Sequence, residues 1–127
     1  HEFVEDAALR GIAEVGREWA TTDLPQRLAR YHRDAEWVFR SWHDTWLSPW
    51  FRDWTIEDCL PGIRCPILAM QGEDDQYATM AQLDTISARA TRSPRVEQLR
   101  IPGCGHQPHR DAPQVVLDAI ERFVATL

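Results

Sequence analysis

Two stretches decide the fold: Cys65-Pro-Ile-Leu-Ala-Met-Gln-Gly-Glu-Asp-Asp75 and Val96-Glu-Gln-Leu-Arg-Ile-Pro-Gly-Cys-Gly-His106. Each reads as a short strand running into a glycine-containing loop. Pro66–Met70 is an apolar run closed by Gly72, the pattern of a strand buried on both faces. Val96–Ile101 alternates imperfectly with period two. Between them, Thr79 with Gln82 has the form of a capping box for a helix carrying Met80, Leu83, Ile86 and Ala90, and Ser93-Pro94 ends that segment. Strands joined by a helix-length crossover are expected to pair in parallel. Such sheets bind ligands beyond the carboxyl ends of their strands, where Asp75 and His106 fall here.

Downstream, Asp111 with Gln114 reads as the cap of a last helix, with Val116, Ile120, Phe123, Val124 and Leu127 as its core face. Upstream, residues 6–20 form a helical pattern with Leu9, Ile12, Gly16 and Trp19 on one face. Asp23, followed by Gln26, caps a short helix ending near Tyr31. Asp34 caps a third helix striped by Val38, Trp42 and Trp46 and stopped by Ser48-Pro49. Thr55 and Asp58 suggest one more turn before Leu60-Pro61-Gly62. The first half holds no convincing strand. The chain thus divides into a helical segment, 1–60, and a strand–helix–strand–helix segment, 61–127.

Composition narrows the function classes. A net charge of −6 argues against a nucleic-acid surface, and no apolar run approaches the roughly 20 residues of a membrane span. The acidic start His1-Glu2-Phe3-Val4-Glu5-Asp6 lacks the basic and apolar regions of a signal peptide, and without a leading Met the sequence is expected to begin inside a longer one. Three cysteines, Cys59, Cys65 and Cys104, form no framework spacing and point to reduced thiols and a cytoplasmic setting. All 14 basic residues are Arg, which removes Schiff-base and P-loop lysine chemistry.

The motifs resemble the C-terminal half of the α/β-hydrolase family. In that family a buried strand ends in G-x-x-D, here Gly72-Glu73-Asp74-Asp75. The next strand ends in a loop carrying G-H, here Gly105-His106, and an acidic, proline-containing helix start follows, here Asp111-Ala112-Pro113. The Trp-rich helical segment 1–60 looks like the family's cap, and 61–127 like the C-terminal part of its core. The resemblance implies an α/β fold and a Ser-Asp-His triad in which Asp75 is the acid and His106 the base. It also implies cofactor-free hydrolysis of an ester, or of a carbon–carbon bond beside a ketone, in a small molecule.

Two family features are missing, the nucleophile elbow and the oxyanion-hole loop that the family carries nearer its N-terminus. No G-x-S-x-G occurs, and Ser41, Ser48, Ser87 and Ser93 all lack flanking glycines. The sequence is therefore expected to be a fragment that supplies acid and histidine but not the nucleophile, and to be inactive alone. Its company is expected to be the missing N-terminal half or a second copy of itself.

The individual residues also carry simpler readings. The simpler reading of Asp75 is a loop carboxylate capping the next helix; Asp74 is its rival, but the position three after Gly72 favours Asp75. His106 would be an exposed loop histidine. Cys104, His106 and His109 lie within six residues, but Pro108 interrupts the face and no second ligand cluster exists, so no metal is assigned. The six Trp residues either line a substrate pocket, with Trp42 and Trp46 as its walls, or simply build a small core. Trp42-His43-Asp44 suggests a second acid–base pair, set aside because neighbouring helix residues point apart. The alternatives are a non-catalytic helical binding module and a haloperoxidase-like or epoxide-opening member of the same family.

Overall fold

The computed structural model describes all residues 1–127. The helical half comprises α1 (Asp6–Thr21), α2 (Leu24–Ala29) and α3 (Ala35–Leu47), followed by 3-10 turns at Pro49–Phe51 and Glu57–Gly62. The second half is β1 (Ile67–Gly72), α4 (Ala81–Arg89), β2 (Val96–Ile101), α5 (Pro108–Asp111) and α6 (Pro113–Val124). β1 and β2 pair in parallel, with Ile67 opposite Val96 and Gly72 opposite Ile101. The architecture is mixed α/β, and both strands end on the same edge of the molecule. The helical half contains no strand, only an antiparallel bridge between Phe3 and Thr55.

Local signals set most of these boundaries. The Asp34 carboxylate accepts the Trp37 N–H and starts α3, and Ser48 ends it in extended backbone before Pro49. Ala8 and Ile12 are the buried face of α1. Trp19 stacks on Phe39 with ring centroids 4.0 Å apart, and Phe39 stacks on His43 at 5.0 Å, so aromatic rings join α1 to α3.

Three expected caps are corrected. Asp23 makes no side-chain cap; the Thr22 hydroxyl accepts the Leu24 N–H instead. Gln82 does not fold back on Thr79. Its buried side chain donates to the Phe3 carbonyl and the Glu5 carboxylate and accepts the Glu2 N–H. Glu5 also takes the Thr79 N–H and hydroxyl, so the chain's N-terminal segment is anchored at the start of α4. Asp111 does not cap α6, which starts at Pro113 without a side-chain cap; its carboxylate turns to the histidine loop.

Burial is thinner than the apolar pattern suggests. Ile101, Cys104 and Val116 form the central cluster, with Met70, Leu99 and Ala112 against it. Ile67, Leu68 and Met70 are only half-buried, because β1 has one strand neighbour rather than two. Val116 and Ala119 of α6 face inward, while Ile120 and Val124, and Leu127 beyond the helix, lie on the surface. A two-stranded sheet is too narrow for the whole apolar side of that helix. No helix is long and apolar enough to cross a membrane.

Candidate active site

Backbone hydrogen bonds across the strand ends build the site. Past β1, the Glu73 N–H donates to the Ile101 carbonyl at 3.0 Å, and the Asp74 N–H donates to the Cys104 carbonyl at 2.9 Å. These bonds hold the acid loop against the histidine loop. Gly72 permits the approach, since a Cβ there would overlap the Cys104 and Gly105 carbonyl oxygens. Gly103 turns the second loop at φ +66°, a region that glycine enters without strain.

On this frame His106 Nδ1 donates to the Asp75 carboxylate, 3.0 Å from one oxygen and 2.9 Å from the other. The Asp75 side chain is 5% exposed and that of His106 43% exposed. Asp75 Oδ1 also accepts the Tyr77 N–H at 2.8 Å, so the carboxylate is held from two sides. Asp74 contributes its backbone and not its carboxylate. Tyr77 meets the His106 ring edge-on at 4.8 Å. The arrangement is a held carboxylate and an imidazole that reaches solvent, as a proton shuttle requires.

Trp42 and Trp46 join Ile12, Tyr77, His106 and Gln107 around a cavity of about 300 Å³. A second cavity of about 280 Å³ is lined by Asp75 and His106 together with Ala69, Met70, Leu83 and Ile86. No Ser, Thr or Cys lines either space. The serine hydroxyls are engaged elsewhere: Ser41 on Val38, Ser48 on Thr45, Ser93 on Cys65, and Ser87 with Gln98. Trp37 and Trp50 stand exposed, far from core duty. His109 is exposed on α5, and no cluster of three metal-ligating side chains forms.

Two features escape a sequence reading. Tyr77 carries no motif, and only the fold shows that α1 passes so close that a Cβ on Gly11 would touch its ring at 2.6 Å. The His43–Asp44 pair, set aside above, does form, with Nδ1 2.8 Å from Oδ1. His43 also lies against Gly16 of α1, where a Cβ would overlap its ring.

Cys104 is buried, and burial, followed by the neighbouring Asp111 carboxylate, pushes its thiol above the usual range. The thiolate is the reactive form. Under native conditions iodoacetamide should therefore modify the exposed Cys59 and Cys65 and spare Cys104. Mass spectrometry of the alkylated chain checks this, and equal modification of all three would contradict the packing.

The fold is that of part of an α/β-hydrolase. It aligns with the crystal structure of VinJ at a TM-score of 0.55 and 24% identity, over 80% of this chain and 37% of that one. It also aligns with a thermophilic esterase from Thermogutta terrifontis, solved with malate bound, at a TM-score of 0.52 and 21% identity, over 99% of this chain and 53% of the esterase. The chain thus spans about half or less of each structure it matches. No family model matches the sequence, and no curated protein matches it.

Proposed function

We propose that this chain supplies the acid and the base of a cofactor-free hydrolase that cleaves an ester, or a carbon–carbon bond beside a ketone, in a small molecule. The observation that carries this is the Asp75–His106 contact at 2.9 Å at the ends of two parallel strands. In this reading Asp75 holds Nδ1–H and stabilises the imidazolium, while Nε2 takes the nucleophile's proton and returns it to the leaving group. The nucleophile, a serine, and its oxyanion hole come from polypeptide outside these 127 residues. The helical half acts as a cap, and Trp42 and Trp46 form an apolar wall beside His106. An Asp in place of the serine would turn the same base toward epoxide or halide chemistry.

Short p-nitrophenyl esters test the reading. The chain alone should turn over no faster than its His106→Ala variant. A longer polypeptide that includes the sequence upstream of His1 should be active and lose that activity on the same substitution. Turnover by the chain alone that vanishes in His106→Ala would mean it carries its own nucleophile.

The proposal extends to association. Leu117, Val124 and Leu127 are 52%, 57% and 72% exposed on the last helix and tail, and β1 has a neighbour on one side only. Apolar helix surface and an unpaired strand edge both favour a partner chain. Light scattering at micromolar concentration should show a dimer or a complex with a co-purifying segment. A compact monomer that unfolds cooperatively would overturn this.

A further inference from the structure

We propose that Asp111 is a positioning residue for His106, acting through the peptide that joins Cys104 to Gly105; the inference rests on the reading of His106 as the base. Both ends of that peptide are held. Its carbonyl oxygen accepts the Asp74 N–H at 2.9 Å. Its N–H donates to Asp111 Oδ2 at 3.0 Å. The same carboxylate oxygen lies 3.9 Å from the sulfur of Cys104, which is 1% exposed. The Cys104–Gly105 peptide, one residue before His106, is thus clamped between the acid loop and the end of α5. Hydrogen bonds in line through one peptide polarise and strengthen one another, and a carboxylate acceptor adds charge assistance.

The geometry explains why Asp111 does not cap α6. The α5 turn, closed by the Asp111 N–H on the Gln107 carbonyl, brings its side chain back over Gly105. Gly105 suits this position because a Cβ would stand only 3.3 Å from Asp111 Oδ2. Without the Asp111 contact, the Gly103–Gly105 segment keeps only the Asp74 tether, and two glycines leave the ring free to swing away from Asp75.

The test is the tautomer of His106, read from long-range proton–nitrogen correlation NMR of the intact chain at a pH where the ring is neutral. In the native chain the proton should sit on Nδ1, facing Asp75. Asp111→Asn keeps an oxygen that can accept the Gly105 N–H and should retain this tautomer. Asp111→Ala should shift the ring to the solution mixture and speed exchange of the Gly105 amide at least tenfold. Leu60→Ala, at a buried position that lines neither cavity beside His106, controls for lost stability and should retain the tautomer. The proposal is overturned if Asp111→Ala keeps the native tautomer, or if Asp111→Asn loses it as fully as Asp111→Ala. Should the alanine variant not fold, the asparagine variant decides alone: a retained tautomer with a protected Gly105 amide supports the proposal, and loss of either overturns it. A native chain without the Nδ1–H form, or one in which Asp75→Asn leaves it unchanged, would instead overturn the reading of the Asp75–His106 pair.

Discussion

Replacing Asp75 with Asn in an active polypeptide containing this chain should lower kcat by about 10⁴-fold, equivalent to about 5.4 kcal/mol, with little change in KM. The substitution is close to isosteric. The Asn oxygen can still accept the Tyr77 N–H that Asp75 Oδ1 now accepts at 2.8 Å, so the loop should stay in place. The amide nitrogen then faces His106 Nδ1 and, as a donor only, requires that nitrogen to be the acceptor. The proton moves to Nε2, and the ring can no longer take one from a nucleophile there. The lost carboxylate also leaves the imidazolium without its counter-charge in the transition state. In the proposed reading the substrate meets the helical half, at the cavity lined by Trp42 and Trp46, so KM should hold. A loss below tenfold would remove Asp75 from the mechanism, and a proportionate rise in KM would make its role one of binding.

The parts of this molecule that the sequence discloses are those determined by neighbours along the chain. Pro66 to Gly72 reads as a strand because apolar residues run between a proline and a glycine. Asp34 reads as a cap because its partner, Trp37, is three residues away. Asp75 and His106 are legible for a different reason: each follows a strand and a glycine, and parallel pairing carries both to one edge. Errors arise where a distant partner outcompetes a local one. Gln82 has the capping-box spacing, yet its amide is used on Phe3 and Glu5, 79 and 77 residues away. Asp111 has the spacing of a helix cap but faces an N–H six residues upstream, already exposed by the turn at Gly103. The His43 ring meets Asp44 while lying against Gly16 of α1, and nothing within α3 encodes that approach. The expected core face of the last helix is only partly buried: Val116 is inside but Ile120, Val124 and Leu127 are exposed, because burial depends on how much sheet lies beneath it.

Gly72→Ala should unfold the site and cost the chain at least about 3 kcal/mol, the upper end for an overpacked interior position. Gly72 does not adopt a positive φ, so the requirement is steric. The Cys104 and Gly105 carbonyl oxygens occupy the space a methyl group would need. Those obstacles are backbone atoms, which cannot move aside as a side chain does. To admit the methyl group, the two loops must part, and the Asp74–Cys104 and Glu73–Ile101 backbone bonds part with them. The Asp75–His106 contact depends on the same approach. Native domains are stable by only about 5–15 kcal/mol, and with 15 of 127 residues buried this one has little core to absorb the loss. Gly62→Ala is the matched control, because nothing lies within 4 Å of a Cβ at that position, and it should shift stability by no more than about 0.5 kcal/mol. Urea unfolding of both variants separates the outcomes. If Gly72→Ala unfolds at the same midpoint as Gly62→Ala, the loops do not meet at Gly72, and the backbone frame holding Asp75 to His106 must be sought elsewhere.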